Sequence, residues 1–143
     1  MTDLLVDPSV LIKWFHARGE SELAEARLLR AAHVRGDVAA HILDLAFYEV
    51  GNVLARALRW QPRDVADQLD DLLTLMGTPL ASAPEWLRRA AELSSLHGLT
   101  FYDAAWAAAA RGLDITLVSA DRQLLSAGLA ESPTGVVARL GLR

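Results

Sequence analysis

Four carboxylates sit where a solvated helix face does not account for them: Asp7, Glu49, Asp103 and Asp121. Asp7 ends the apolar run "LLVD", and Asp121 follows the β-branched run "ITLVS". Glu49 borders the apolar stripe formed by Leu43, Phe47, Val50, Leu54 and Ala57 at helical spacing. Asp103 is the one charged residue between Leu99 and Ala110. Each has a plain alternative. Asp7, Asp103 and Asp121 are good helix N-caps, and a glutamate at a stripe border is ordinarily exposed. Gathered at one place, however, the four would repel one another and their pKa values would rise. A hard divalent cation, Mg²⁺ or Mn²⁺, relieves that repulsion through oxygen ligands while keeping several waters. Such an ion orients a phosphodiester, activates water and stabilises a leaving oxygen.

The elements around these residues alternate between strand and helix. "LLVD" reads as a buried first strand, and Pro8 and Ser9 open a helix to about Phe15. Ser21 to about Val34 is helical, and "VAAH" at Val38–His41 is a second strand. Asp44 is positioned to cap a long helix to about Arg59; Pro62 to Met76 is the next helix. "PLASA" is a candidate third strand, and Pro84 opens a helix to His97 that Gly98 stops. The helix of Asp103 ends at Gly112, "ITLVS" at Ile115–Ser119 is the fourth strand, Asp121 to Ser126 a short helix, and "GVVAR" a candidate fifth strand. This alternation implies an α/β fold whose parallel sheet is covered on both faces. In such sheets ligands bind at the carboxyl ends of strands, where Asp7 and Asp121 both fall.

The 143 residues suit one domain, 1–143, and the 52% hydrophobic and 22% charged fractions are those of a globular chain. A net charge of −4 argues against a polyanion binder acting through bulk charge. It leaves room for a nucleic-acid enzyme whose acidic site is neutralised by metal. The absence of cysteine excludes disulfides, thiolate zinc sites and thiol nucleophiles. The start "MTDLLVDPSV" lacks the basic and apolar regions of a signal peptide. The most apolar stretch, Ile42–Leu58, is interrupted by Asp44, Glu49, Asn52 and Arg56. A soluble cytoplasmic protein with no membrane association is expected.

In this order, "LLVDPSVLIKWF", "FYEVGNVLARAL", "LTFYDAAWAAAA" and "LVSADRQLL" resemble the motifs of PIN-domain ribonucleases, and among them the VapC toxins of type II toxin–antitoxin pairs. The resemblance covers essentially the whole chain. It implies a three-layer α/β/α fold with about five parallel strands ordered 3-2-1-4-5. It implies a Mg²⁺- or Mn²⁺-dependent endoribonuclease acting on RNA such as tRNA or rRNA, with Asp7 and Asp103 as metal ligands. Glu49 and Asp121 would complete the pocket, through water or a second metal. Ser119, where the family often has Thr or Ser, and Ser9 would support it. The resemblance also implies a homodimer and a VapB-like antitoxin, assembled as a heterotetramer or larger. The antitoxin's tail would lie along the toxin and push a basic side chain into the pocket.

Thirteen of the 14 basic residues are arginine, the side chain better suited to gripping phosphate. Lys13, Arg56 and Arg122 fall near the expected carboxyl edge and are the candidate RNA contacts, with surface solubility as the alternative reading. Arg56 also falls beside Glu49 on the helix projection, where the two would pair. Trp14, Trp60, Trp86 and Trp106 read as core or interface residues before base-stacking ones, and the four histidines show no metal-binding spacing. Two competing readings are a receiver-like Mg²⁺-binding signalling module and a PIN-like fold retained only for binding. The first calls for paired acids after the first strand and a late lysine. This chain has one Asp there and its only lysine at position 13. The four retained acids argue against the second.

Overall fold

The computed structural model describes residues 1–143. Its sheet has three parallel strands, β1 (Thr2–Val6), β2 (Val38–His41) and β3 (Thr116–Val118), in the order β2-β1-β3. The register pairs Thr2 with Val38 on one side of β1, and Leu4 with Thr116 on the other. Side chains alternate between the faces of a strand. Consecutive Leu4, Leu5 and Val6 are nonetheless all fully buried, so β1 is covered on both faces, as parallel sheets require.

Of the outer two members of the expected five-stranded sheet, one shrinks to a single bridge and the other is not a strand. In "PLASA" only Leu80 pairs, donating to the Ile42 carbonyl at 2.8 Å and accepting from the Asp44 N–H at 2.9 Å. Beyond β3, Glu131 bridges to Val118. The expected strand "GVVAR" is instead part of a helix, Pro133–Leu140. Ser132 caps it by accepting from the Gly135 N–H at 3.0 Å, and Pro133 occupies its first turn. This Ser–Pro start is a local helix signal that outweighs the two valines. Val136 is fully buried, with Val137 and Leu140 packed on the core beside it, the stripe of an amphipathic helix.

In chain order the helices are α1 (Pro8–Phe15), α2 (Leu23–Arg35), α3 (Leu45–Asn52), α4 (Pro62–Met76), α5 (Pro84–His97), α6 (Phe101–Leu113), α7 (Arg122–Ser126) and α8 (Pro133–Leu140). A π-helical turn, Val53–Ala57, continues α3. α2 packs on α1, β2 and α8; α6 packs on α5 and β3. Asp44 precedes α3, but its side chain makes no capping hydrogen bond.

Helix α6 carries the longest unbroken run of buried residues among the helices. Every residue from Ala104 to Ala110 is buried, and Trp106 is the one large side chain among them. The alanines lose no rotamer entropy and let neighbours approach closely. Gly112 does not stop this helix, which runs to Leu113 and ends with Asp114 in the left-handed conformation. Gly112 instead makes room for α5: a Cβ there would lie 2.1 Å from the Trp86 indole nitrogen.

Candidate active site

Asp7 follows β1 and is 3% exposed. Its backbone N–H donates to the Val118 carbonyl at 3.2 Å, extending the β1–β3 pairing past the last strand residue. Both carboxylate oxygens are engaged by hydroxyls. Ser9 donates to Oδ1 from its N–H at 3.0 Å and its Oγ at 2.5 Å; Ser119 Oγ donates to Oδ2 at 2.6 Å. The serines are themselves held by backbone donors, the Ala120 N–H to Ser9 Oγ at 2.9 Å and the Asp121 N–H to Ser119 Oγ at 3.0 Å. Asp7 is therefore an N-cap and a buried carboxylate at once. Capping needs one oxygen, while burial brings the rest of the group to the end of the sheet.

Asp121 caps α7, its Oδ1 accepting from the N–H groups of Gln123 at 2.9 Å and Leu124 at 3.1 Å. Asp103 is not a cap. Thr100 caps α6, its hydroxyl accepting from the Asp103 N–H at 3.1 Å, so Asp103 stands in the first turn with its carboxylate free of that duty. Glu49 lies half-buried on α3. Its Oε1 accepts from the Trp106 indole Nε1 at 2.7 Å, across 57 residues of sequence.

These groups feel one another electrostatically. Burial pushes the Asp7 carboxyl up to about 6, against the lowering effect of the two serines and with a further push from Asp103. Burial pushes Glu49 up to about 7, opposed by the Trp106 hydrogen bond and reinforced by Asp7 and Asp103. Asp103 is raised by burial and by Asp121. Asp7, Glu49 and Asp103 are thus linked by charge, and Asp121 joins them through Asp103. No Lys, Arg or His forms an ion pair with any of them.

The basic residues expected at this edge divide. Lys13 is 3% exposed and pairs with Glu20 at 2.8 Å, its Nζ also donating to the Ser21 carbonyl at 2.8 Å. It is a buried tie between α1 and the loop before α2, not a surface contact. Arg56 and Arg122 are exposed. Arg56 does not pair with Glu49, whose carboxylate is bonded to Trp106. The tryptophans divide: Trp14 and Trp106 are buried, Trp60 and Trp86 are partly exposed, and Trp60 meets Phe15 edge-on with ring centres 6.3 Å apart. The exposed aromatics are Phe101, Tyr102 and Tyr48, the last two immediately before Asp103 and Glu49 in sequence.

Residues 4–128 match the PIN domain family, a span that contains all four carboxylates and stops short of α8. The chain belongs to the PIN-domain family. This PIN domain is 34% identical over 125 residues to Ribonuclease VapC3 of Pyrobaculum aerophilum, covering 85% of this chain and 91% of that protein. Among solved structures it is similar to PAE2754 of the same organism, at 27% identity and a TM-score of 0.68, over 98% of this chain and 97% of that one. It also shares its fold with a toxin–antitoxin complex from Klebsiella pneumoniae, at 18% identity and a TM-score of 0.66, over 91% and 97% of the two chains. No helix of the PIN domain is long and apolar enough to cross a membrane.

Proposed function

We propose that this PIN domain is a VapC-type endoribonuclease toxin, dependent on Mg²⁺ or Mn²⁺, that hydrolyses phosphodiester bonds in RNA. The carrying observation is a set of buried or half-buried carboxylates, Asp7, Glu49 and Asp103, each raised chiefly by desolvation, with no basic side chain paired to any of them. Kinship with Ribonuclease VapC3 points the same way.

The donor set suits a hard divalent ion. It is all oxygen, and it is short of positive charge. No group of three or more His, Cys, Asp or Glu side chains is arranged to hold a metal ion; the proposed ion is one held by one or two carboxylates and several waters. Asp7 and Asp103 are the residues assigned to hold it, with Glu49 and Asp121 completing the pocket directly or through water. When bound, the ion supplies Lewis-acid activation of water and charge neutralisation at the phosphoryl group.

The chain's own residues prepare that chemistry. Ser9 and Ser119 fix the Asp7 carboxylate from both sides, so it is oriented before anything binds. The α7 cap fixes Asp121, and the Trp106 indole fixes Glu49. Exposed Arg56 and Arg122 are assigned to RNA phosphates, while Tyr48, Phe101 and Tyr102 offer faces on which unpaired bases stack. One domain, 1–143, is assigned to this activity, as a homodimer restrained by a small antitoxin; the shared fold with the Klebsiella toxin–antitoxin complex supports such a partner.

The test is cleavage of single-stranded RNA, tRNA and rRNA by the pure protein, with and without Mg²⁺ or Mn²⁺, beside Asp7→Asn and Asp103→Asn. Metal-dependent cleavage lost in both variants is expected. Equal cleavage by all three proteins would remove the site assignment, and no cleavage under any metal condition would remove the nuclease reading.

A further inference from the structure

Trp106 stands three residues after Asp103 on α6, and i, i+3 residues share a helix face. One side of one helix therefore carries a pocket carboxylate and, a turn along, the donor bonded to a second one. Trp106 is fully buried, within a run of buried residues whose other members are all alanine. Its indole sits at a place set by packing. The hydrogen bond to Glu49 Oε1 is 2.7 Å long, and Oε2 makes no hydrogen bond within the chain. Asp7 and Asp103 both act on the Glu49 carboxylate.

We infer that Trp106 is a positioning residue of the nuclease site: its indole N–H commits one Glu49 oxygen to α6 and leaves the other as the single oxygen Glu49 offers to a divalent cation or its waters. The inference rests on the nuclease reading for its context, and on the hydrogen bond for its substance. A chelating two-oxygen Glu49 would compete with Asp7 and Asp103 for positions around the ion. A one-oxygen Glu49, held by a rigid donor, does not. Residues that orient a metal-site carboxylate in this way typically change metal affinity or activity by about 10- to 100-fold when altered.

Two substitutions separate positioning from packing. Trp106→Phe removes the donor but also volume. Replacing Trp106 by 3-benzothienylalanine keeps the bicyclic shape and exchanges N–H for sulfur. The expected result for the second is an unchanged melting temperature, Mn²⁺ binding by EPR titration weaker by about 10- to 100-fold, and kcat for RNA reduced by a similar factor at unchanged KM. Wild-type Mn²⁺ affinity and kcat in the benzothienyl protein would overturn the inference, whatever Trp106→Phe does. The hydrogen bond has its own readout in ¹H–¹⁵N spectra. The Trp106 indole signal, identified by its disappearance in Trp106→Phe, should move upfield in Glu49→Ala; an unmoved signal would also overturn the inference. Failure of the nuclease reading shows up elsewhere, as wild-type protein that cleaves no RNA, and the indole signal and Mn²⁺ titration are read without RNA.

Discussion

Asp7 and Lys13 are equally buried, six residues apart on either side of the first turn of α1, and the fold treats them in opposite ways. Lys13 has its counter-ion: Glu20 lies at 2.8 Å, and the Ser21 carbonyl takes a second hydrogen bond. Asp7 has none. Two serine hydroxyls hold it, and the charge that acts on it is the like charge of Asp103. A buried charge with its own partner belongs to the architecture. A buried carboxylate set among hydroxyls and other carboxylates is left high in free energy until a cation arrives. The same degree of burial thus marks a structural tie in one case and a candidate reaction centre in the other.

The comparison is broken most severely by removing the charge at the candidate centre. Asp7→Asn and Asp103→Asn are each expected to lower metal-dependent RNA cleavage by more than about a hundredfold, with the melting temperature of the metal-free protein unchanged or raised. Gel-based cleavage and calorimetry on the same preparations check both halves. Glu20→Gln should do the reverse. It strands the Lys13 ammonium in the interior and is expected to cost about 3 kcal/mol of stability in denaturant titration, leaving cleavage by the folded fraction intact. Lys13→Met should cost less, because Glu20 is a quarter exposed (26%) and rehydrates.

The pH dependence sharpens the contrast. A carboxylate raised in the folded state keeps its proton there after the unfolded chain has lost its own, so stability falls as pH rises through that interval. For Asp7 the interval runs from its ordinary 3.8 to about 6, and for Glu49 from 4.5 to about 7. Metal-free protein should therefore lose stability between pH 4 and 7, by up to about 3 kcal/mol from Asp7. Asp7→Asn should flatten that slope, and Mg²⁺ or Mn²⁺ should restore the stability lost at pH 7. Denaturant titrations across this range, with and without metal, measure each arm. The smallest expected effects belong to the exposed cations: Arg56→Ala and Arg122→Ala should each raise KM for RNA a few-fold with kcat held, and the rise should shrink at high salt.

Short-range signals were the legible ones. Asp7 with Pro8, Asp121 before α7, and the Pro62 and Pro84 helix starts all act within one turn, so their meaning is contained in a few neighbouring residues. The misread segments had competing local signals. "GVVAR" has β-branched residues but also the Ser132–Pro133 cap, and the cap decides; Asp103 looks like a cap until Thr100 takes that role. Gly112 has the composition of a helix stop, and only the arrival of Trp86 from α5 shows that it is a seat.

By itself, then, the sequence determined which chemistry was available. It placed acids at the ends of two apolar runs, one on a stripe border and one in an alanine-rich helix, and it contained no cysteine to suggest another course. The tertiary structure decided which charges are compensated. That Lys13 turns inward to Glu20, that Ser119 reaches Asp7 across 112 residues, and that Trp106 rather than Arg56 meets Glu49 are outcomes of packing. The physical reason is range. Capping and periodicity are set by backbone geometry over a few residues, whereas the desolvation and pairing of a charge depend on whatever the whole fold brings beside it.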